Sequence, residues 1–580
     1  MSTAPFLAAA VQFEPVMFAK EENIARLLDL VEQAARQGAK LITTPEMATT
    51  GYCWYDRQEI ADQVETVPGA TSARFSELAR RYQCHIVLGM PEVDAESQLY
   101  YNSALLIGPQ GVIGRHRKSH PYISEPKWAA AGDVGHQVFD TPLGKIGILI
   151  CMDIHFPETA RLLALAGADI ICHVSNWLAE RAPAPYWISR AMENSCYLLE
   201  SNRWGLERGV QFSGGSGIIA PDGTILDVVD NGDGIAYGEI DVRLSRRRQV
   251  LGEPVFAQRR PQEYHALLSD SFLWNPADFF GLYGHRPLPA GKQSRITVCQ
   301  FSPADSVEEN LARIVALTQE AVGRQQSELV VFPEMALTGH GAPQTNAQTP
   351  DAPALRSLIQ LAMTLRVYLV VGMAERQEEK YYNTQVLLGP EGTIGSYRQM
   401  HLPLAYQSWA TAGERWGVFD TPLGRLGLLS GNDALFPESG RILTLMGCDI
   451  VACSAALGDG FVSGHGGSQV AQNYPIPVGA DPLHWHLLRT RAGENNFYLA
   501  FANGLDTHRQ RGGYSGIFGP ETFVFPRHEQ ALWQEPGIAT LTVDTASQAG
   551  SPVPTNAVRR KDLVAMRQVH HYRPLLLDQR

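Results

Sequence analysis

The chain has 580 residues, a net charge of −12, 44% hydrophobic residues and 19% charged ones. An acidic chain with no basic stripe interleaved with aromatics excludes a broad nucleic-acid footprint, and no apolar run approaches the roughly 18 residues of a bilayer-spanning helix. Eight cysteines without a CxxC pair exclude a disulfide scaffold and a cysteine-based zinc site, which points to reduced thiols in a cytoplasmic protein.

In chain order, "MSTAPFLAAAVQFEP" lacks a basic leader and reads as a first buried strand. "NIARLLDLVEQAARQGA" has helical periodicity, "AKLITTPEM" is a short apolar strand ending at Glu46, and an apolar hairpin runs into "GRHRKSH" around Lys118. "KIGILIC" is a strand that delivers Cys151 to a turn. "FPETARLLALAGA" then starts a helix after Pro157 and stops it near Gly167. The basic runs at 246–248 and 259–260 read as solvated or inter-domain charges.

The same order then recurs. "AAAVQFEP" (8–15) is answered by "ITVCQFSP" (296–303), "LITTPEMATTGY" (41–52) by "LVVFPEMALTGH" (329–340), and "VFDTPLG" stands unchanged at 138–144 and 418–424. The chain divides into half one, residues 1–268, a linker at 269–292 and half two, residues 293–580. The linker is rich in aromatics and is expected to pack on a domain surface. Strand-helix alternation in each half predicts a layered α/β domain. Half two carries an extra stretch at 458–481 that reads as a surface loop, with His465 given no role.

A lone cysteine is commonly a small apolar filler. Cys151 differs by its place on a strand-to-helix turn, where N–H groups and a cation favour a thiolate. Glu46, at another strand end, has the position of a general base, and Lys118 that of a cation for an oxyanion. Tyr52, Trp54, Tyr122, His155, Asn176 and Trp177 lie on loops beside these signatures and are candidate pocket walls, with Met152 next to the thiol.

"PEM…TGY", "GRHRKSH", "GILICMDIHFPE" and "RAMENSCYLLESN", in that order, resemble the nitrilase superfamily of carbon-nitrogen hydrolases, in both halves. The resemblance implies two tandem αββα sandwich domains. It implies Glu46 as base, Lys118 and the Met152 N–H as oxyanion donors, Cys151 as nucleophile, and Glu125, seven residues before Gly132, as a second carboxylate. It further implies an amidase-like hydrolase of a small-molecule amide working through a thioester, with no metal or organic cofactor. A nitrile substrate, or a non-catalytic scaffold, stays open. An Arg often stands at the His155 position, so specificity for carboxylate-bearing substrates does not carry over.

Half two keeps Glu334 but has Gln399, Tyr406 and Gly431 where half one has Lys118, Glu125 and Cys151. It reads as a pseudo-enzyme domain, retained as the inert partner of an intramolecular pseudo-dimer. Assembly into a larger homo-oligomer is left open.

Overall fold

A computed structural model of the chain describes residues 4–122, 124–269, 287–458, 464–473, 476, 485–506, 511–546 and 555–578. The linker expected at 269–292 falls largely outside the described residues, as does part of the stretch 458–481.

Half one opens with β1 (Phe6–Gln12), α1 (Lys20–Arg36), β2 (Leu41–Thr43), α2 (Ala70–Tyr82), β3 (His85–Val93), β4 (Tyr100–Gly108) and β5 (Gly111–Arg117). It continues with β6 (Val138–Thr141), β7 (Gly144–Ile150), α3 (Pro157–Leu165), β8 (Ile170–Ser175), α4 (Pro185–Asn194), β9 (Tyr197–Asn202), β10 (Gly217–Ile219), β11 (Ile225–Val228) and β12 (Gly234–Ile240). Two six-stranded sheets result, ordered β12-β1-β2-β3-β4-β5 and β11-β10-β9-β8-β7-β6. Side chains alternate across a strand. Ala8, Ala10, Leu41, Val87 and Leu106 therefore pack between the sheets against Ile146, Ile148 and Ile170. Ala9, Val11, Ile42 and Leu88 face the other way, onto Leu27 and Val31 of α1 and Phe75 of α2. The order helix-sheet-sheet-helix is the αββα sandwich expected from the resemblance.

Half two repeats it with β13 (Gln293–Gln300), α5 (Val307–Gln325), β14 (Leu329–Val331), α6 (Pro353–Leu365), β15 (Tyr368–Gln377), β16 (Lys380–Gly389) and β17 (Gly392–Arg398). Then follow β18 (Gly417–Thr421), β19 (Gly424–Ser430), α7 (Pro437–Leu445), β20 (Ile450–Ala455), α8 (His486–Asn495), β21 (Tyr498–Asn503), β22 (Gly516–Phe518), β23 (Glu529–Ala531) and β24 (Gly537–Asp544). Its sheets run β17-β16-β15-β14-β13-β24 and β18-β19-β20-β21-β22-β23, strand for strand the order of half one.

The halves meet through α3 and α4 against α7 and α8. Arg190 of α4 and Arg491 of α8 each bond Glu193 and Glu494, at 2.5–2.7 Å, in a ring sealed from solvent. Each guanidinium also donates Nε–H to a carbonyl of its own half, Ile154 O at 2.9 Å and Ala434 O at 3.0 Å. The C-terminal segments cross over. Arg259 of half one reaches Glu438 of α7 at 3.1 Å, and Arg567 of half two reaches Glu158 of α3 at 3.0 Å. Tyr264, Leu267, Tyr572 and Leu575 from the two segments share one apolar cluster with Leu162 and Ile442.

The extra stretch of half two departs from the surface loop expected. Ser468 and Val470 are buried against half one, and Arg181 donates to the carbonyls of both residues, at 3.2 and 2.9 Å. His465 accepts the Gly467 N–H at 3.1 Å and stacks near His486. Backbone carbonyls with a guanidinium partner do not need water, which is why a glycine-rich stretch can pack there. Among the described residues no helix is long and apolar enough to cross a membrane.

Candidate active site

Three strand ends bring Glu46, Lys118 and Cys151 together. Glu46 lies just past β2, Lys118 directly follows β5, and Cys151 directly follows β7. Glu125 opens a single 3-10 turn, Glu125–Lys127. Lys118 Nζ donates to Glu46 Oε1 at 2.8 Å and to Glu125 Oε1 at 2.7 Å, with all three side chains buried. Asn102 Nδ2 of β4 donates to the same two oxygens at 2.7 and 3.1 Å, and the Tyr122 N–H donates to Glu125 Oε2 at 2.9 Å. Glu125 thus pairs with Lys118 and not with its neighbour Lys127, which is exposed.

Burial would discharge Lys118, but Glu125 and Glu46 outweigh it and hold the ammonium well above its usual range. Burial pushes Glu125 up to about 7, against Lys118 and with the help of Glu46. Burial also pushes the Cys151 thiol well above its ordinary value, with Glu46 adding and Lys118 opposing. Cys151 therefore rests as a thiol, and a reaction through it needs a base to take its proton.

Cys151 has φ 45°, a left-handed backbone unusual for a residue with a Cβ. The turn Cys151–His155 that follows is held from below by Asp153. Its carboxylate accepts from Ile150 N at 3.1 Å, Ser119 N at 3.1 Å, Ser119 Oγ at 2.7 Å and His120 N at 2.9 Å. His116 and His120 add ring contacts at 2.9 and 3.0 Å. Asp153 thereby locks the loop that carries Lys118 to the turn that carries Cys151. Sequence reasoning passed it over. Its signal was the shared Asp in "CMDIHFPE" and "GNDALFPE": Asp433 holds Ser430 N, His401 and Tyr397 in the same way.

Tyr122, Met152, His155, Asn176 and Trp177 line a cavity of about 330 Å³ over Cys151. His155 stacks on Trp177 at 4.8 Å, and burial with Arg190 behind it lowers its pKa to about 3, so it is neutral. Asn176 donates from Nδ2 to Glu46 O at 3.1 Å. Tyr52 sits beside the charged cluster, its ring 5.6 Å from Lys118 Nζ, and is not part of that cavity's lining. Trp54 is a correction. It is fully buried with Met47, Trp128 and Phe212, and its indole N–H donates to Gly51 O at 2.9 Å, so it packs the loop from behind. The cavity's far wall was not foreseen: Tyr186 of α4, Thr522, Phe523 and Val524 of half two, and Met566 of the crossing segment.

In half two, Tyr406 OH donates to Glu334 Oε1 at 2.6 Å and Asn383 Nδ2 to Gln399 Oε1 at 2.8 Å. A Cβ on Gly431 would stand 3.0 Å from Ala455 Cβ. A side chain there would be tight against the neighbouring strand, which would have to give by a few tenths of an ångström. Among the described residues no group of three or more His, Cys, Asp or Glu is placed to hold a metal ion.

Residues 7–249 and 295–549 each match the carbon-nitrogen hydrolase family. A nitrilase of Pyrococcus abyssi is 36% identical over 259 residues, covering 44% of this chain and 98% of that protein. Human omega-amidase NIT2 is 28% identical over 275 residues, covering 45% and 96%. The crystal structure of Saccharomyces cerevisiae Nit3, a member of branch 10 of the nitrilase superfamily, is similar over 43% of this chain and 94% of its own, with 26% identity and a TM-score of 0.39. A duplicated αββα fold with two matches to one family defines a hydrolase of carbon-nitrogen bonds. The chain belongs to the carbon-nitrogen hydrolase family.

Proposed function

We propose that half one is an amidase that releases ammonia or an amine from a small amide through a thioester on Cys151. The observation that carries this reading is Lys118 held at 2.8 and 2.7 Å between Glu46 and Glu125 beside a strained cysteine at the floor of a cavity. Cys151 Sγ attacks the carbonyl carbon while Glu46 takes the thiol proton. Lys118 and the Met152 N–H receive the oxyanion. The C–N bond breaks as Glu46 passes its proton to the leaving nitrogen. Water then attacks the thioester, Glu46 takes its proton, and the acid departs as the proton returns to sulfur. Glu125 keeps Lys118 in place through both steps. Half two, without thiol or ammonium at the matching positions, acts as an inert partner.

Ammonia release from primary amides, carbamoyl amines and nitriles, wild type against Cys151→Ala, tests this. Thiol-dependent release from amides is expected. Release confined to nitriles would move the protein to a nitrilase, a reading the Pyrococcus relative favours. No release from any of them would favour a non-catalytic scaffold.

A further inference from the structure

The two halves differ at one turn that faces the cavity. In half one β10 and β11 are joined by 220–224; in half two β22 and β23 are joined by 519–528, twice the length. The longer hairpin is tied to its own half by Asn496 and Thr542 but reaches beyond it. It leans on half one, where Phe523 lies parallel to Tyr186 at 5.9 Å and tilted against Trp177 and His155 at 5.8 and 5.3 Å. Arg527 anchors it to Glu180 of half one at 3.4 Å. Gly493 of α8 stands where half one has Met192, and a Cβ there would lie 2.7 Å from both Thr522 and the Tyr186 hydroxyl. The helix has given up a side chain so that hairpin and tyrosine can approach.

The cavity is walled on one side by the rings of His155, Trp177, Tyr186 and Phe523 and, among the described residues, its lining holds no Arg or Lys. The Lys118 ammonium beside Cys151 is already held by two carboxylates. A substrate carboxylate would enter a site with buried Glu46 and Glu125 beside it and Glu521 and Asp562 in its wall, with no Arg or Lys among the described lining residues to receive it, which is costly. An aromatic or aliphatic group would bury its surface against four rings.

We propose that hairpin 519–528 of the thiol-less half selects the substrate of the other half, and that it selects uncharged amides with an apolar or aromatic acyl group over amides bearing a carboxylate. The inference rests on the amidase reading of the same site. It is tested by comparing 4-phenylbutyramide, butyramide and glutaramic acid (an amide of similar length with a terminal carboxylate). The expected order of kcat/KM is phenylbutyramide, butyramide, glutaramic acid, with about 100-fold or more between the first and last. Phe523→Ala and the milder Phe523→Leu are expected to cut the preference for phenylbutyramide over butyramide by about 10-fold. Glutaramic acid as the best substrate, or an unchanged preference in folded Phe523 variants, would overturn the proposal and leave the amidase reading intact. Calorimetric binding of the same three compounds to Cys151→Ala reads selectivity without turnover. If no compound were hydrolysed, the amidase reading would fail while the binding order still decided the role of the hairpin.

Discussion

Lys118 already holds two carboxylates and, in the proposed reaction, receives a third negative oxygen. Lys118→Ala should lower kcat/KM by about 10³-fold or more and also destabilise the fold, because it strands Glu46 and Glu125 in a dry site. Steady-state rates read beside a melting curve separate the two effects. Glu125 sets a pH signature. Burial raises its folded pKa from 4.5 to about 7, so the native state binds that proton more tightly than the unfolded chain does. Its contribution to stability is therefore full below the unfolded value and lost as pH rises through 7. Glu125→Gln should flatten that decline between about pH 5 and pH 8 and remove an acid limb near 7 from kcat/KM, measured by urea midpoints and pH-rate profiles. Asp153 has the opposite sign. Its partners hold it well below the usual carboxylate range, so what it contributes is present above the unfolded value and is lost only in acid. Glu46 and Cys151 could be placed from the sequence because each ends an apolar run, and a strand end fixes where a side chain emerges; Glu125, on a 3-10 turn, came only from the family resemblance. Trp54 misled because an aromatic on a neighbouring loop carries no sign of which side it faces. Its indole bond to Gly51 O and the packing of Trp128 decide that, and both are tertiary.

At the scale of elements, the RAMEN segment of α4 and its counterpart in α8 build the interface. Arg190 bonds across to Glu494 and also holds the Ile154 carbonyl in the turn after Cys151, so the ring of charges connects the partner helix to the nucleophile's own loop. Glu494→Ala should cost about 3–5 kcal/mol, since it leaves two buried guanidinium groups sharing the single carboxylate of Glu193. It should also lower kcat through the Cys151 turn, a loss that a purely structural role would not produce in the folded protein. Equilibrium unfolding and single-turnover rates report the two. The strand pairing could be read only as far as alternation and turn signals reach. The hairpin 519–528 was not singled out in the sequence, and its destination could not be, because Phe523 meets Tyr186 across more than 300 positions of sequence.

For the molecule as a whole, a chain cut to residues 1–292 would bare the face of α3 and α4, with Arg161, Arg190 and Glu193 losing the partners that sit in half two. It is expected to pair with itself or precipitate, and to lose most of its activity with the hairpin wall gone; sedimentation and ammonia release measure both. A stable, fully active monomer of that length would refute the buttressing role of half two. Duplication was the most legible feature of all, because repeated words in the same order need no structure to be recognised. The exchange of C-terminal segments was not, since Arg259 and Arg567 announce nothing locally about which half they will reach.

That exchange has a consequence for when the protein becomes an enzyme. The residues proposed to react lie in the first 151 positions, yet Met566 walls their cavity and Arg567 clasps Glu158 at the start of α3. Synthesis runs from the first residue to the last. A ribosome that has finished every reactive group still carries an open, unclasped site, and on the proposed reading catalytic competence waits until Met566 and Arg567 have cleared the exit tunnel.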